Sequence, residues 1–153
     1  MRLESSAFSP GSPIPDVHAR DGRDQSPPLS WSDPPAGTKS FALLCDDPDA
    51  PGGTWVHWVL FDLPPTATGL PAGVRTAEKP PVGGVQGKND YGDIGWGGPQ
   101  PPRGHGVHHY GFRLYALDTL LNLAPGSTLA RVDAAMQGHV LGEAKLMGTY
   151  RRD

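Results

Sequence analysis

The sequence lacks the features of several large protein classes. Its single cysteine, Cys45, excludes an internal disulfide framework, and its place after an apolar run predicts an inert, half-buried thiol. No apolar run reaches membrane-spanning length, and residues 1–6 have no apolar signal core, which predicts a cytoplasmic protein rather than an integral membrane protein. A formal net charge of −3 without a lysine and arginine cluster gives no reason to expect nucleic acid as a partner.

Glycine and proline, by contrast, are abundant. The 153 residues include 21 glycines and 18 prolines, which separate short apolar runs instead of forming a repeat. This pattern favours a loop-rich, mostly β fold with minor α content over a disordered chain. We predict a flexible N-terminal tail at residues 1–13 and a single domain at residues 14–153. Strands are expected at residues 40–45, 54–63 and 107–118, and two short C-terminal helices at residues 128–137 and 139–147.

A polar corner between the first two of these strands is the strongest sign of a binding site. It reads Asp46-Asp47-Pro48-Asp49-Ala50-Pro51, and each proline restricts the backbone of the residue before it. Carboxylates that needed only solvation would not require such a rigid corner. We therefore interpret it as one wall of a site. We also expect a cis peptide bond between Ala50 and Pro51, because tight turns at proline are where such bonds occur.

Three histidines occur in the predicted strands. Alternation along residues 54–63 places His57 on the same face as Val59, and both faces of this strand are apolar, so His57 is expected in the core or in a pocket. Along residues 107–118, alternation places His108 and Tyr110 on one face and His109 on the opposite, more solvated face. Only His108 of these two neighbours can therefore share a site with Tyr110.

Two motifs resemble those of a known family. The first is Asp47-Pro-Asp-Ala-Pro followed by His57-Trp58, and the second is Gly98-Pro-Gln-Pro-Pro-Arg-Gly104 followed by His108-His-Tyr110, with Asn89-Asp-Tyr-Gly92 upstream of it. Together they resemble the phosphatidylethanolamine-binding protein family, and most closely its bacterial branch, the Raf kinase inhibitor-like proteins. The resemblance extends from about Ile14 to Arg151. One departure is His109, where the family usually has arginine.

The resemblance implies a large antiparallel sheet with a smaller sheet, helices at the C-terminus, and a small pocket that binds phosphatidylethanolamine-type headgroups or related small anions. It implies neither a cofactor nor catalysis. Bacterial relatives often form homodimers, so a homodimer is expected here too. The family's pocket residues carry over, by motif, to Asp47, His57, Gly98, Pro99, His108 and Tyr110.

The chemistry of these side chains suits a phosphate. A phosphate ester accepts hydrogen bonds, so the site must supply donors. Protonated imidazoles at His57 and His108 and the hydroxyl of Tyr110 are donors, and glycine-rich backbone can add N–H groups. We expect Asp47 to accept a hydrogen bond from a histidine and to orient it. Asp49 could do the same or could simply shape the corner.

Two other functions fit the sequence less well. A regulatory protein-interaction module, similar to the kinase inhibitors among the eukaryotic relatives, would use the pocket as a ligand-controlled switch, but no sequence feature names a partner. A metal-dependent hydrolase could be assembled from the corner carboxylates and His57, His105 and His108. No known ligand spacing supports it, however, and no Gly-x-Ser-x-Gly motif supplies a nucleophile.

Overall fold

The computed structural model describes residues 1–153 and contains two antiparallel β-sheets, one α-helix and one short 3₁₀ helix. In chain order the elements are β1 Arg2–Glu4, the 3₁₀ helix Asp16–His18, β2 Leu29–Ser32, β3 Ser40–Asp47, β4 Trp55–Leu63, β5 Gly69–Leu70, β6 Val85–Gln86, β7 His108–Leu117, α1 Leu129–Met136 and β8 Val140–Tyr150. The smaller sheet has the order β1-β2-β5 and the larger one the order β6-β4-β3-β7-β8.

The centre of the larger sheet is β3, whose residues are apolar almost without interruption from Phe41 to Cys45. A strand that is apolar on both faces is stable only when both faces are covered. Twenty buried residues form the core on one face, where the smaller sheet contributes Leu3 and Trp31. Seven form the core on the other face, where α1 contributes Val132 and Met136. The prediction of a mostly β fold with a large and a small antiparallel sheet is therefore confirmed.

A β-bulge in β4 changes the face to which His57 belongs. Cys45 of β3 pairs with Trp58, whereas the next residue, Asp46, pairs with Val56, so His57 is the extra residue between them. Strict alternation, which placed His57 with Val59, is wrong at this point. His57 lies instead on the side of the larger core, with its ring centroid 5.1 Å from that of Tyr110.

The C-terminal third contains one helix and one long strand. The predicted helix at residues 128–137 is confirmed as α1, and the side chain of Thr128 caps its first turn by accepting from the backbone N–H of Arg131. The second predicted helix, at residues 139–147, is wrong, because these residues belong to β8. In β8 Ala144 and Leu146 are buried and Met147 is 40% exposed, an alternation that suits a strand along β7.

Residues 1–13 pack against the rest of the chain and do not form the predicted tail. Arg2–Glu4 form β1, and Phe8 is buried in the larger core. Farther along, the backbone N–H of Ile14 donates to the carbonyl of Thr149 at 2.7 Å, and the N–H of Thr149 donates to the carbonyl of Ser12 at 3.0 Å. These bonds cover the outer edge of β8. The domain boundary at residue 14 itself stays a prediction.

The corner after β3 contains no cis peptide bond, so the prediction of a cis bond between Ala50 and Pro51 is wrong. The chain reverses instead at Gly52 and Gly53, whose φ angles of 101° and 117° are open to glycine but strained for other residues. The carboxylate of Asp47 also fixes the turn by accepting from the N–H of Asp49 at 2.7 Å. Elsewhere, no helix is both long and apolar enough to span a membrane.

Candidate ligand-binding pocket

A cavity of about 270 Å³ opens where the corner after β3 meets the first residues of β4 and β7. The three strands bring together residues that are far apart in the sequence, because β3 pairs with both β4 and β7 at this end of the sheet. Four of the seven predicted site residues line the cavity. The full set of lining residues is Asp47, Ala50, Pro51, Trp55, His57, Tyr91, Gln100, Pro101, Pro102, His108 and Tyr110.

Asp47 and His108 form a buried pair at the base of the pocket. Oδ2 of Asp47 lies 2.6 Å from Nδ1 of His108, and the two side chains are 4% and 2% exposed. The carboxylate accepts, so Nδ1 of His108 carries the hydrogen. Nε2 of His108 lies 2.5 Å from Nδ1 of His105, which stands on the loop before β7. The expected role of Asp47, to hold and orient a histidine, agrees with this geometry, and both nitrogens of His108 are occupied.

His57 is fixed by a backbone carbonyl. Its Nδ1 lies 2.6 Å from the carbonyl oxygen of Gly97, which can only accept, so Nδ1 carries a hydrogen and donates it. Nε2 has no hydrogen-bond partner within the protein, and His57 is one of the residues that line the cavity. Burial lowers the pKa of His57 and outweighs the opposing effect of the bond to Gly97. At neutral pH His57 is therefore uncharged and Nε2 is an acceptor, contrary to the expectation of a protonated, donating imidazole.

Tyr110 lines the cavity and has a buried hydroxyl without a hydrogen-bond partner. The residue is fully buried, and its hydroxyl is the one buried side-chain polar atom in the structure without a hydrogen-bond partner. Burial, together with the nearby charge of Asp47, raises the pKa of Tyr110, so the hydroxyl keeps its proton and remains a donor. A buried hydroxyl without a partner is uncommon, because it loses its bonds to water and gains none in return.

Aromatic and proline side chains form the upper walls. Trp55 and Tyr91 meet edge to face with their centroids 5.4 Å apart, and the hydroxyl of Tyr91 donates to the carbonyl of Gly98 at 2.7 Å. Neither residue is among the seven predicted site residues. The signal for Tyr91 was the Asn89-Asp-Tyr-Gly92 segment, in which the side chain of Asn89 closes a turn by accepting from the N–H of Tyr91. No lysine or arginine lines the cavity.

The three other predicted residues, Gly98, Pro99 and Asp49, support the pocket from outside. The N–H of Gly98 donates to Oδ1 of Asp24 at 2.7 Å, and the carbonyl of Pro99 accepts from the N–H of Arg20 at 3.0 Å. These bonds hold the loop segment that continues into Pro101 and Pro102, the two prolines that line the cavity from this side.

Asp49 faces away from the cavity and is bound to the neighbour of His108. Its Oδ2 accepts from the backbone N–H of His109 at 2.8 Å and lies 2.6 Å from Nδ1 of the same residue. This bond to His109 lowers the pKa of Asp49. His109 is exposed on the opposite side of β7 from His108, as alternation predicted. Asp49 therefore accepts from a histidine, one of the two roles expected of it, but this histidine is His109, which lies outside the pocket.

Comparison with known proteins gives consistent matches over nearly the whole chain. A family model described as phosphatidylethanolamine-binding protein matches residues 4–151. The UPF0098 protein of Methanothermobacter thermautotrophicus is 55% identical over 152 residues, which cover 99% of both chains. The crystal structure of Escherichia coli YbcL, described as a member of the mammalian PEBP family, is 35% identical with a TM-score of 0.93 and covers 99% of this chain and 98% of its own. The PEBP homologue CT736 of Chlamydia trachomatis is 41% identical with a TM-score of 0.90 and covers 99% of this chain and 97% of its own.

Proposed function

This chain belongs to the phosphatidylethanolamine-binding protein family, and from that premise we propose that it is a non-catalytic protein that binds a small phosphate-bearing ligand in the pocket. The observation that carries the proposal is the hydroxyl of Tyr110, buried at the cavity without a partner. Leaving such a donor unpaired costs about 1–3 kcal/mol, a cost that a ligand oxygen would remove. The proposed ligand class is a phosphatidylethanolamine-type headgroup or a related small anion.

The neighbours of Tyr110 support the same reading. His57 Nε2 and the Tyr110 hydroxyl are both without protein partners, and their rings are 5.1 Å apart at one cavity. The cavity of about 270 Å³ is near the lower limit of typical small-molecule sites, which suits a headgroup better than a whole lipid. The aromatic walls at Trp55 and Tyr91 can contact the organic part of such a ligand.

The arrangement of possible catalytic groups supports binding rather than turnover. His108 has Asp47 on one nitrogen and His105 on the other, so no serine, threonine or cysteine stands where a nucleophile would be activated. Cys45 is fully buried, and burial raises the pKa of its thiol, which keeps it in the unreactive form. The cytoplasmic location and the homodimer stay predictions from the sequence.

The experiment that tests the proposal is an amide NMR titration with inorganic phosphate and with phosphoethanolamine. We expect saturable shifts that cluster on Asp47, His57 and Tyr110. In Tyr110→Phe the dissociation constant should rise about tenfold, equivalent to about 1.4 kcal/mol, since one hydrogen bond to a charged ligand is lost. The stability of the unliganded variant should not fall, because the hydroxyl has no partner to lose.

His109→Ala is the matched control, because His109 lies on the same strand but faces away from the cavity. Its dissociation constants should equal those of the unmodified protein. His108→Ala is a less specific test, because it also leaves the buried carboxylate of Asp47 without its partner. Equal loss of binding in Tyr110→Phe and His109→Ala would contradict the assignment of the site. No saturable shift with either anion would contradict the proposal and favour the alternative, a regulatory module that binds a protein.

A further inference from the structure

The hydrogen-bonding groups at the base of the pocket are mostly acceptors. The acceptors are the carboxylate of Asp47, which also carries negative charge, and Nε2 of His57, whose Nδ1 is committed as a donor to Gly97. A pocket for an ordinary anion would show the opposite balance, with several donors and at least one cation.

Donors are few around the same cavity. The hydroxyl of Tyr110 is free, but that of Tyr91 is used on the carbonyl of Gly98, and Nε2 of His108 faces His105. Three lining residues, Pro51, Pro101 and Pro102, are prolines, which have no backbone N–H. The amide nitrogen of Gln100 donates away from the cavity, to Asp21 at 2.9 Å. The indole of Trp55 stands at the mouth of the pocket and is 37% exposed.

From this inventory we infer that the pocket selects ligands that bring their own hydrogen-bond donor next to the anionic oxygens. The inference rests on the proposed function and specifies its ligand class. An ionised oxygen of the ligand would accept from Tyr110, while a hydrogen on the ligand would be donated to Nε2 of His57 or to the carboxylate of Asp47. A hydrogen-bearing phosphate group has both kinds of atom. Phosphoethanolamine has them as well, because its ammonium group is a donor.

An oxyanion without a hydrogen would bind the pocket only weakly. Sulfate at neutral pH only accepts, so it would set its oxygens against the lone pair of His57 and the negative charge of Asp47 with no lysine or arginine to compensate. Nε2 of His57 would be left without a donor, and the carboxylate of Asp47, which already accepts from Asp49 and His108, would face a second negative charge. Discrimination between phosphate and sulfate is thus a consequence of the acceptors, not of size, since the two ions have the same tetrahedral shape.

Calorimetric titration at pH 6.5 with three anions tests this inference. Inorganic phosphate carries at least one hydrogen at this pH, sulfate carries none, and dimethyl phosphate carries none but has a single negative charge. We expect phosphate to bind at least about tenfold more tightly than either of the others, the factor expected when a buried acceptor is left unpaired. Sulfate and dimethyl phosphate both lack the hydrogen, so the comparison between them reports the effect of the second charge. Comparison of phosphate with dimethyl phosphate reports the effect of the hydrogen.

Asp47→Asn provides the second arm, because it replaces one acceptor oxygen with a donor amide and removes the negative charge. We expect the ratio of the sulfate and phosphate dissociation constants to fall severalfold in this variant. If all three anions bind the unmodified protein equally, the inference is overturned while the proposed function stands. If none of them binds, the proposed function fails as well. The three-anion comparison needs no variant and decides the matter even if Asp47→Asn does not fold.

Discussion

At His57, burial and a hydrogen bond act on the same imidazole in opposite directions, and burial dominates. The carbonyl of Gly97 favours the protonated ring, whereas the loss of water disfavours it, and the pKa falls below its ordinary value of 6.5. The tautomer is fixed at the same time, because a carbonyl accepts only. A neutral histidine with a defined lone pair is thus a built feature of the pocket, obtained without any charged neighbour in hydrogen-bond contact.

The depressed pKa of His57 predicts a loss of stability in mild acid. As the pH falls below about 6.5, the unfolded chain takes up a proton at this residue while the folded protein does not, so the free energy of unfolding decreases until the lower, folded pKa is reached. His57→Gln removes this contribution. Chemical denaturation between pH 7.5 and 5 should therefore show a steeper loss in the unmodified protein than in the variant. Parallel pH profiles would contradict the prediction.

Alternation along a strand was enough to separate His108 from His109, because β7 pairs without interruption from His108 to Ala116. The same rule failed for His57, because the bulge arises from the pairing of β4 with β3 and has no signature in β4 itself. That the Tyr110 hydroxyl has no hydrogen-bond partner could not be predicted from the sequence either. It depends on the distance to every neighbouring group, which only the folded chain defines.

The loop from Gly97 to Pro102 acts as an element of the site although it is neither helix nor strand. Gly98 packs so closely on the 3₁₀ helix region that an added Cβ would stand 2.2 Å from the carbonyl oxygen of His18 and 2.8 Å from the N–H nitrogen of Arg20. Both contacts are to backbone, which cannot rotate away. Pro101 and Pro102, which line the cavity, follow shortly after Gly98. Their position therefore depends on the close packing of Gly98 against the backbone of His18 and Arg20.

Gly98→Ala should therefore damage both stability and binding. We expect the free energy of unfolding to fall by about 1–3 kcal/mol, the usual cost of overpacking, and the affinity for phosphate to fall with it as the loop moves. Gly111→Ala is the control, since a Cβ at Gly111 in β7 meets only one atom, Oδ1 of Asp46 at 3.9 Å. Thermal unfolding and the phosphate titration on both variants measure the difference. Similar losses in the two variants would show that close packing at Gly98 is not the cause.

The contrast between α1 and β8 shows what the sequence patterns can and cannot decide. Both segments have apolar residues at helical spacing, but only the first begins with a capping residue, Thr128. The second follows Gly138, whose φ is +80°, and finds its hydrogen bonds along the free edge of β7. A strand that continues an existing sheet gains tertiary pairing, and this outweighs a weak helical stripe.

In the molecule as a whole, the two sheets enclose the larger core, and the N-terminal segment seals one end of it. Ile14 is 2% exposed within this core, and its N–H is bound to Thr149. Ile14→Ala should lower the free energy of unfolding by about 2–5 kcal/mol, the range for deleting a buried isoleucine side chain. Leu120→Ala, at a position 48% exposed, should cost less than about 0.5 kcal/mol. Urea denaturation of both variants measures these costs, and a small loss at Ile14 would mean that the seal adds little.

The hydrogen bond from Ile14 to Thr149 also sets the earliest point in synthesis at which residues 1–14 can pair with β8. The two residues are 135 positions apart (149 minus 14), and a ribosome adds about 5–20 residues per second, so roughly 7–27 seconds pass between them. During that interval β8, against which Phe8 and Ile14 pack in the folded protein, has not yet been synthesised. The burial of Phe8 and Ile14 is therefore completed only after the last strand of the sheet has been synthesised.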